Sequence, residues 1–268
     1  MNPFENKVIV VTGGSDGIGK ALVESFLLLG AKVATCGRNY DKLYPLQSAY
    51  SGKPLLIYAA DISKEHEAKS FIDTVIKNFG TIDVLINNAG ISMRATVEEV
   101  SLDALRKVMD INFWGTVYCT KFSLPYILEN KGTIVGVSSI AGYRGLPGRS
   151  GYSASKFAVN GWLEALRTEL LDSGTNVMWV CPGFTASNIR NAALNNKGES
   201  FGETSMDEGK MMSASECAVH IIKAIEQRKR TLVLTFTGKR AVFMNKYFPK
   251  LADRLTRNFF YKNGILAK

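Results

Sequence analysis

Histidine and cysteine are scarce in this chain, and what is present is scattered. The two histidines, His66 and His220, stand on separate predicted helices with no cysteine or second histidine at ligand spacing, so no metal site is expected. The four cysteines, Cys36, Cys119, Cys181 and Cys217, form no CxxC pair and lie in apolar or mixed segments. They read as reduced core thiols in a reducing compartment. No run of eighteen apolar residues is present to span a bilayer. The opening MNPFENKVIV leads almost directly into a strand-like segment, without the basic and then apolar succession of a secretory signal, and a cytoplasmic location is the expectation. Linkers, low-complexity stretches and repeats at a fixed period are missing as well. With 268 residues, 46% of them apolar, the default is one globular domain with an ample core.

The charge is unevenly spread. From Arg228 to Lys268 eleven Lys or Arg face a single acid, Asp253, whereas the other 227 residues hold 22 basic and 23 acidic side chains. The whole of the formal +9 therefore belongs to the tail. Its cations are interleaved with Phe, Tyr and Leu at helix spacing and accompany no recognition motif, which argues against a nucleic-acid partner.

What the chain does have is alternation. Apolar runs rich in β-branched residues occur at 7–11, 32–36, 54–60, 82–88, 132–139, 176–181 and 231–236. Helix-like stretches begin near Gly17, Tyr40, Lys64, Ser101, Tyr152 and Ser213. Parallel neighbours need a crossover helix, so this order predicts an α/β fold: a doubly wound, parallel, seven-stranded sheet with helices on both faces. The pattern runs through residue 236. A polar, Asn-rich segment at 186–212 interrupts it, and a basic amphipathic extension at 237–268 follows it.

The first strand ends in TGGSDGIG, which opens the first helix. Gly13, Gly17 and Gly19 would let the backbone turn sharply where a dinucleotide's phosphates meet a helix N-terminus, with Ser15, Asp16 and Ile18 in the same turn. At the end of the second strand, where an acid would repel a ribose 2′-phosphate, the sequence TCGRN offers Arg38. A guanidinium binds that phosphate bidentately, so NADP(H) is the expected cofactor. Asp16, in a position where some NADP binders place a cation, pulls the other way.

Tyr152 and Lys156 lie four residues apart and so share one helical face. Lowering a phenol's pKa from about 10 by ~3 units needs about 4 kcal/mol of preference for the phenolate, and a nearby ammonium has the right sign to supply it.

Six collinear motifs then carry a resemblance: TGGSDGIG, NNAG at 87–90, IN at 111–112, SS at 138–139, YSASK at 152–156 and CPG at 181–183. Over residues 5–236 the chain resembles the short-chain dehydrogenase/reductase family. The resemblance implies a single-domain Rossmann fold and interconversion of a carbonyl and a secondary alcohol. It makes Tyr152 the general acid and base, and has Lys156 lower the tyrosine pKa and also bond the nicotinamide ribose. It gives Ser139, thirteen residues ahead of the tyrosine, the substrate oxygen, and Asn112 a relay water. Cofactor contacts are likewise implied for Asp61 and Ile62 at the adenine, Asn88, Ala89 and Gly90 under the adenosine ribose, and Pro182, Gly183, Thr185 and Ser187 at the carboxamide. Ser187 stands where the family often has threonine. A homodimer or homotetramer is the usual assembly.

The segment 186–212 falls where the family places its substrate lid. Met206, Met211 and Met212 there suit a bulky, lipid-like substrate. Two readings of the tail stay open: packing on the parent domain or a second subunit, and peripheral contact with an anionic membrane. The alternative to a reductase is an NADP-binding sensor or scaffold without turnover, which need not keep both Tyr152 and Lys156.

Overall fold

The computed structural model describes residues 2–185, 188–202 and 211–266. Seven strands form one sheet: β1 (Val8–Thr12), β2 (Lys32–Gly37), β3 (Leu55–Ala59), β4 (Val84–Asn87), β5 (Thr133–Val137), β6 (Asn176–Cys181) and β7 (Thr231–Val233). Their spatial order is β3-β2-β1-β4-β5-β6-β7 and every pair is parallel. The chain winds outward from β1 in one direction, then returns to start again at β4 on its other side. The order therefore reverses between β1 and β4, where a crevice opens beyond the strands' C-terminal ends.

Period-two alternation divides the core between two faces. Ile9, Val11, Val84, Ile86, Val135 and Val180 point to one face, covered by α1 (Gly17–Leu28), α2 (Tyr40–Ala49) and α7 (Ala214–Glu226). Val8, Val10, Leu85, Ile134, Val177 and Trp179 point to the other, covered by α3 (Glu65–Phe79), α5 (Gly115–Glu129) and α6 (Ser150–Glu169). Both faces of every central strand are buried, which is why those strands read as continuous apolar runs. The four cysteines are free and buried, as their settings suggested.

Three of the departures from the sequence pattern bear on the crevice and the tail. The helix expected from Ser101 is α4 (Leu102–Met109), a π-helical turn (Asp110–Trp114) and α5 in unbroken succession, capped at its start by the Ser101 hydroxyl. The fifth strand ends at Val137 rather than 139, because the Ser139 hydroxyl accepts a bond from Ala141 N–H and starts a 3-10 turn (Ile140–Gly142). The seventh ends at Val233, and Phe236 already begins α8 (Phe236–Tyr247). After a break at Phe248, α9 (Pro249–Phe260) follows, with proline in the first turn where its missing N–H costs nothing. A short hairpin of β8 (Tyr261–Lys262) and β9 (Ile265–Leu266) closes the described tail. Among the described residues no helix is long and apolar enough to cross a membrane.

Helix α6 lies close on β5 because Gly136 leaves room for Leu163 and Val159. That approach fixes where the first turn of α6 meets the crevice. Gly136→Ala would put a methyl into Leu163 and is expected to cost about 1–3 kcal/mol by overpacking, read as a lower urea midpoint at unchanged slope.

Candidate active site

At the crevice, the glycine turn is held from behind. Asn88 donates from its side-chain amide to the Thr12 and Gly13 carbonyls, and the Thr12 hydroxyl accepts from the N–H groups of Asn88 and Ala89. A side chain on Gly13 would strike Ala89, and one on Gly19 would strike the Gly13 carbonyl and the Asn88 amide. Gly13 and Gly17 also sit at positive φ, +71° and +53°. These glycines thus let the β1 and β4 loops pack together as well as turning the chain. The Asp16 carboxylate caps α1 by accepting from Gly17 N–H at 2.6 Å. It is committed to the helix, which accounts for an acid in an anion cradle. The first backbone bond of α1 runs from Lys20 N–H to the Asp16 carbonyl, so the N–H groups of Ile18 and Gly19 are donors that the helix itself does not use.

Beyond the turn, Ser15 stands over Gly37 at the end of β2, and the side chain of Arg38 projects there into solvent. At the end of β3, one oxygen of Asp61 accepts from the N–H and hydroxyl of Ser63, at 3.1 and 2.8 Å. The side chain of Ile62 turns away to pack on Gly115. A diphosphate at the start of α1 with its ribose toward Arg38 therefore matches the donors present.

On the other side of the crevice, Tyr152, Lys156, Ser139 and Asn112 come together. Lys156 is buried, and its ammonium donates to the Val137 carbonyl at 2.8 Å and lies 5.8 Å from the centre of the Tyr152 ring. Asn112, set by the π-helical turn, donates to the Ile91 carbonyl and the Ser155 hydroxyl and accepts from Ile91 N–H. Its side chain thus braces the loop after β4 against α6, close to Gly90 and the lysine. Ser139 and Tyr152 share the wall of one cavity, whereas Ser138 is turned inward with its hydroxyl buried.

That cavity measures about 490 Å³ and is largely apolar. Ile140, Phe184 and Ile189 line it from the domain, and Met244, Leu255 and Phe259 from the tail helices. The tail is pinned in place: Arg144 donates to Asn245 at 2.9 Å and to Asp253 at 2.5 Å, and Asn245 donates to the Tyr143 carbonyl. Phe259 stacks on Phe184, and Leu266 of the terminal hairpin rests on Gly148.

A family model of short chain dehydrogenases matches residues 7–198. The chain belongs to the short-chain dehydrogenase/reductase family. Dehydrogenase/reductase SDR family member 7B of Mus musculus is 35% identical over 261 residues, covering 94% of this chain and 80% of the relative. Dehydrogenase/reductase SDR family protein 7-like of Dictyostelium discoideum is 30% identical over 265 residues, covering 96% and 82%. A short-chain dehydrogenase from Streptomyces avermitilis aligns at a TM-score of 0.81 and 27% identity, covering 94% of this chain and 96% of its own. A short chain dehydrogenase/reductase from Burkholderia phymatum in complex with NAD gives 0.84 at 22% identity with the same coverage, a likeness of fold. As a member of this family the chain is an NAD(P)-dependent oxidoreductase acting on CH–OH groups.

Several residues of this short-chain dehydrogenase/reductase sit differently from expectation. Burial raises the Tyr152 pKa above its usual value, and the Ser139 hydroxyl and then the Arg149 guanidinium oppose that rise. The Lys156 ammonium lies beside the Tyr152 ring. Thr185 is buried, and its carbonyl accepts from Arg190. Pro182 and Gly183 follow β6, with Gly183 at φ +79° in the cavity wall. Met212 packs against the α1 core, and neither it nor Met211 lines the cavity; among the described residues Met244 does. Ser187 and Met206 lie outside the described residues. Sequence reasoning missed Arg149, although it stands one turn ahead of Tyr152.

Burial lowers the Lys156 pKa from 10.5 to about 8, with Cys181 opposing. The folded chain therefore releases this proton before the unfolded chain does, and between those pH values the unfolded state binds more protons, so stability rises with pH. Below pH 8 the penalty of the buried charge is fully present. Relative to Lys156→Met, the ligand-free wild type is expected to gain up to about 3 kcal/mol between pH 7 and pH 10.5 in urea titrations. A constant difference would mean that the ammonium is not buried.

Proposed function

We propose that the protein is an NADPH-dependent reductase that converts the carbonyl of a bulky, lipid-like substrate to a secondary alcohol. The observation that supports this most is the placement of the Ser139 and Tyr152 side chains in the wall of an apolar cavity roofed by α8 and α9. NADPH, when bound, supplies the hydride. In this reading Ser139 holds the substrate oxygen, and Tyr152 gives its proton to that oxygen. A phenol whose burial keeps it protonated is suited to that role. Once the proton has left, the ammonium of Lys156 and the guanidinium of Arg149 stabilise the phenolate. Lys156 uses one donor on Val137 and has two left for the cofactor's ribose. Asn112 holds the β4 loop and Ser155 in register with the lysine.

The preference for NADPH rests on Arg38, exposed beside Ser15 at the end of β2 with no acid at that position. Peripheral membrane contact belongs to the same reading. Phe243, Tyr247 and Phe248 are exposed, with the Tyr247 and Phe248 ring centroids 4.8 and 6.3 Å from that of Phe243, and are interleaved with Lys239, Lys246 and Lys250. That combination suits an anionic interface from which a lipid-like substrate could enter. A second copy of the chain would pack on the face of α5 and α6 carrying the exposed Trp114, stacked on Tyr118, and Phe157. Such a homodimer or homotetramer would act in the cytoplasm.

Tyr152→Phe is expected to lower ketone reduction at least about 100-fold while NADPH still quenches intrinsic fluorescence. Loss of cofactor binding in that variant would remove the phenol from the proton-transfer role. Arg38→Ala is expected to weaken NADPH binding about tenfold and leave NADH nearly unchanged in the same titration. Equal weakening of both would sink the 2′-phosphate assignment. In flotation assays the protein should rise with phosphatidylserine vesicles and stay down with neutral ones; absence from both would count against the membrane.

A further inference from the structure

Along α6 the column that carries Tyr152 and Lys156 has a third member at the same spacing, Asn160. Its side chain is buried in the middle of the helix, where asparagine is a poor helix former and leucine would pack with no polar group to satisfy. The Asn160 Nδ2 donates to the Gly142 carbonyl at 3.0 Å, while its Oδ1 is buried and meets no donor among the described residues. An amide kept there in spite of a buried, unpaired acceptor is explained by the bond that its other atom makes.

That bond falls at the far end of the segment that carries Ser139. Lys156 donates to the Val137 carbonyl, two residues before Ser139, and Asn160 donates to the Gly142 carbonyl, three residues after it. Successive turns of one helix thus grip both ends of the segment. Between the two grips the Ser139 hydroxyl accepts from Ala141 N–H at 3.1 Å, and the Ser139 carbonyl accepts from Gly142 N–H at 2.9 Å. The turn that closes at Gly142 therefore also sets the direction of the hydroxyl. Gly142 lies flat against α6, since a Cβ there would stand 2.7 Å from Asn160 Nδ2 and 2.9 Å from the Lys156 carbonyl. Past the turn other elements take over: the Trp179 indole donates to the Tyr143 hydroxyl, and Asn245 donates to the Tyr143 carbonyl.

We propose that Asn160 is a positioning residue for Ser139. It holds the 3-10 turn against the helix of Tyr152, so that the serine hydroxyl stands where the substrate oxygen arrives. Asn160 does not line the cavity and acts only through the turn. This deepens the reductase reading and rests on it for the role of Ser139.

The test uses the full chain with NADPH, and 2-decanone as the probe ketone. In Asn160→Leu, amide hydrogen exchange over residues 138–144, read by mass spectrometry, is expected to quicken about tenfold, with β5, the rest of α6 and the NADPH titration unchanged. The kcat is expected to fall about tenfold with KM within about twofold, because a misplaced hydroxyl loses its hold on the transition state more than on the bound ketone. Asn160→Gln, which keeps the donor, should recover part of both effects. In a Ser139→Ala background Asn160→Leu should lower kcat by less than about twofold further, since the group it positions is already gone. An equal fall in both backgrounds, or unchanged exchange over 138–144, would overturn the assignment. Wild-type turnover that Asn160→Leu leaves intact removes the positioning role and spares the reductase reading. Faster exchange in Asn160→Leu, with no ketone reduced by the wild type, leaves the hold on the turn standing and counts against that reading.

Discussion

Around the buried ammonium of Lys156 the rest of the site is arranged. A charge in that position survives only where its donors are used, and the Val137 carbonyl at the end of β5 takes the first of them. That bond ties the first turns of α6 to the sheet, and the close contact of Leu163 at Gly136 ties the next ones. With α6 so placed, Tyr152 comes beside Ser139 in the cavity wall, and Ser155 meets the Asn112 amide. The π-helical turn adds one residue to the turn between α4 and α5, which aims Asn112 inward instead of along the helix. Secondary structure, packing and electrostatics thus converge on one cation, whose burial lowers its own pKa to about 8.

Much of this was legible in the chain. The seven strands and their parallel order followed from apolar runs separated by helix-period segments, because a sheet covered on both faces leaves no polar alternation. The glycine turn was legible because Gly13 and Gly17 require positive φ, which few other residues supply. Other features depended on contacts between distant segments. That Asp16 caps a helix is a matter of where a carboxylate points, and either role suits its position. Arg149 was overlooked because an arginine in a loop is ordinarily solvated, and only the fold brings Arg94 and Arg190 beside it.

The tail was the least legible segment, because its clustered cations suit packing on the parent domain and contact with an anionic surface alike. Phe259 stacks on Phe184, Ala252 is buried, and Asn245 and Asp253 bond to Arg144 in the loop that follows Ser139. Packing on the parent domain, one of the two readings left open by the sequence, is what the fold displays. The outward aromatic face is a separate surface.

The pinning of the tail has a consequence for how such a protein changes over generations. The residues gathered for chemistry all lie before position 157, on strands and helices that cannot shift without loss of the core. The roof over the cavity comes from 236–260, two helices held to the rest, among the described residues, by the Arg144 clamp, the stack of Phe259 on Phe184 and a hairpin seated on Gly148. Substitutions there can reshape the cavity while Ser139 and Tyr152 keep their places. A library confined to the inward positions of α8 and α9 would explore new specificities on an unaltered catalyst, and natural drift has the same latitude.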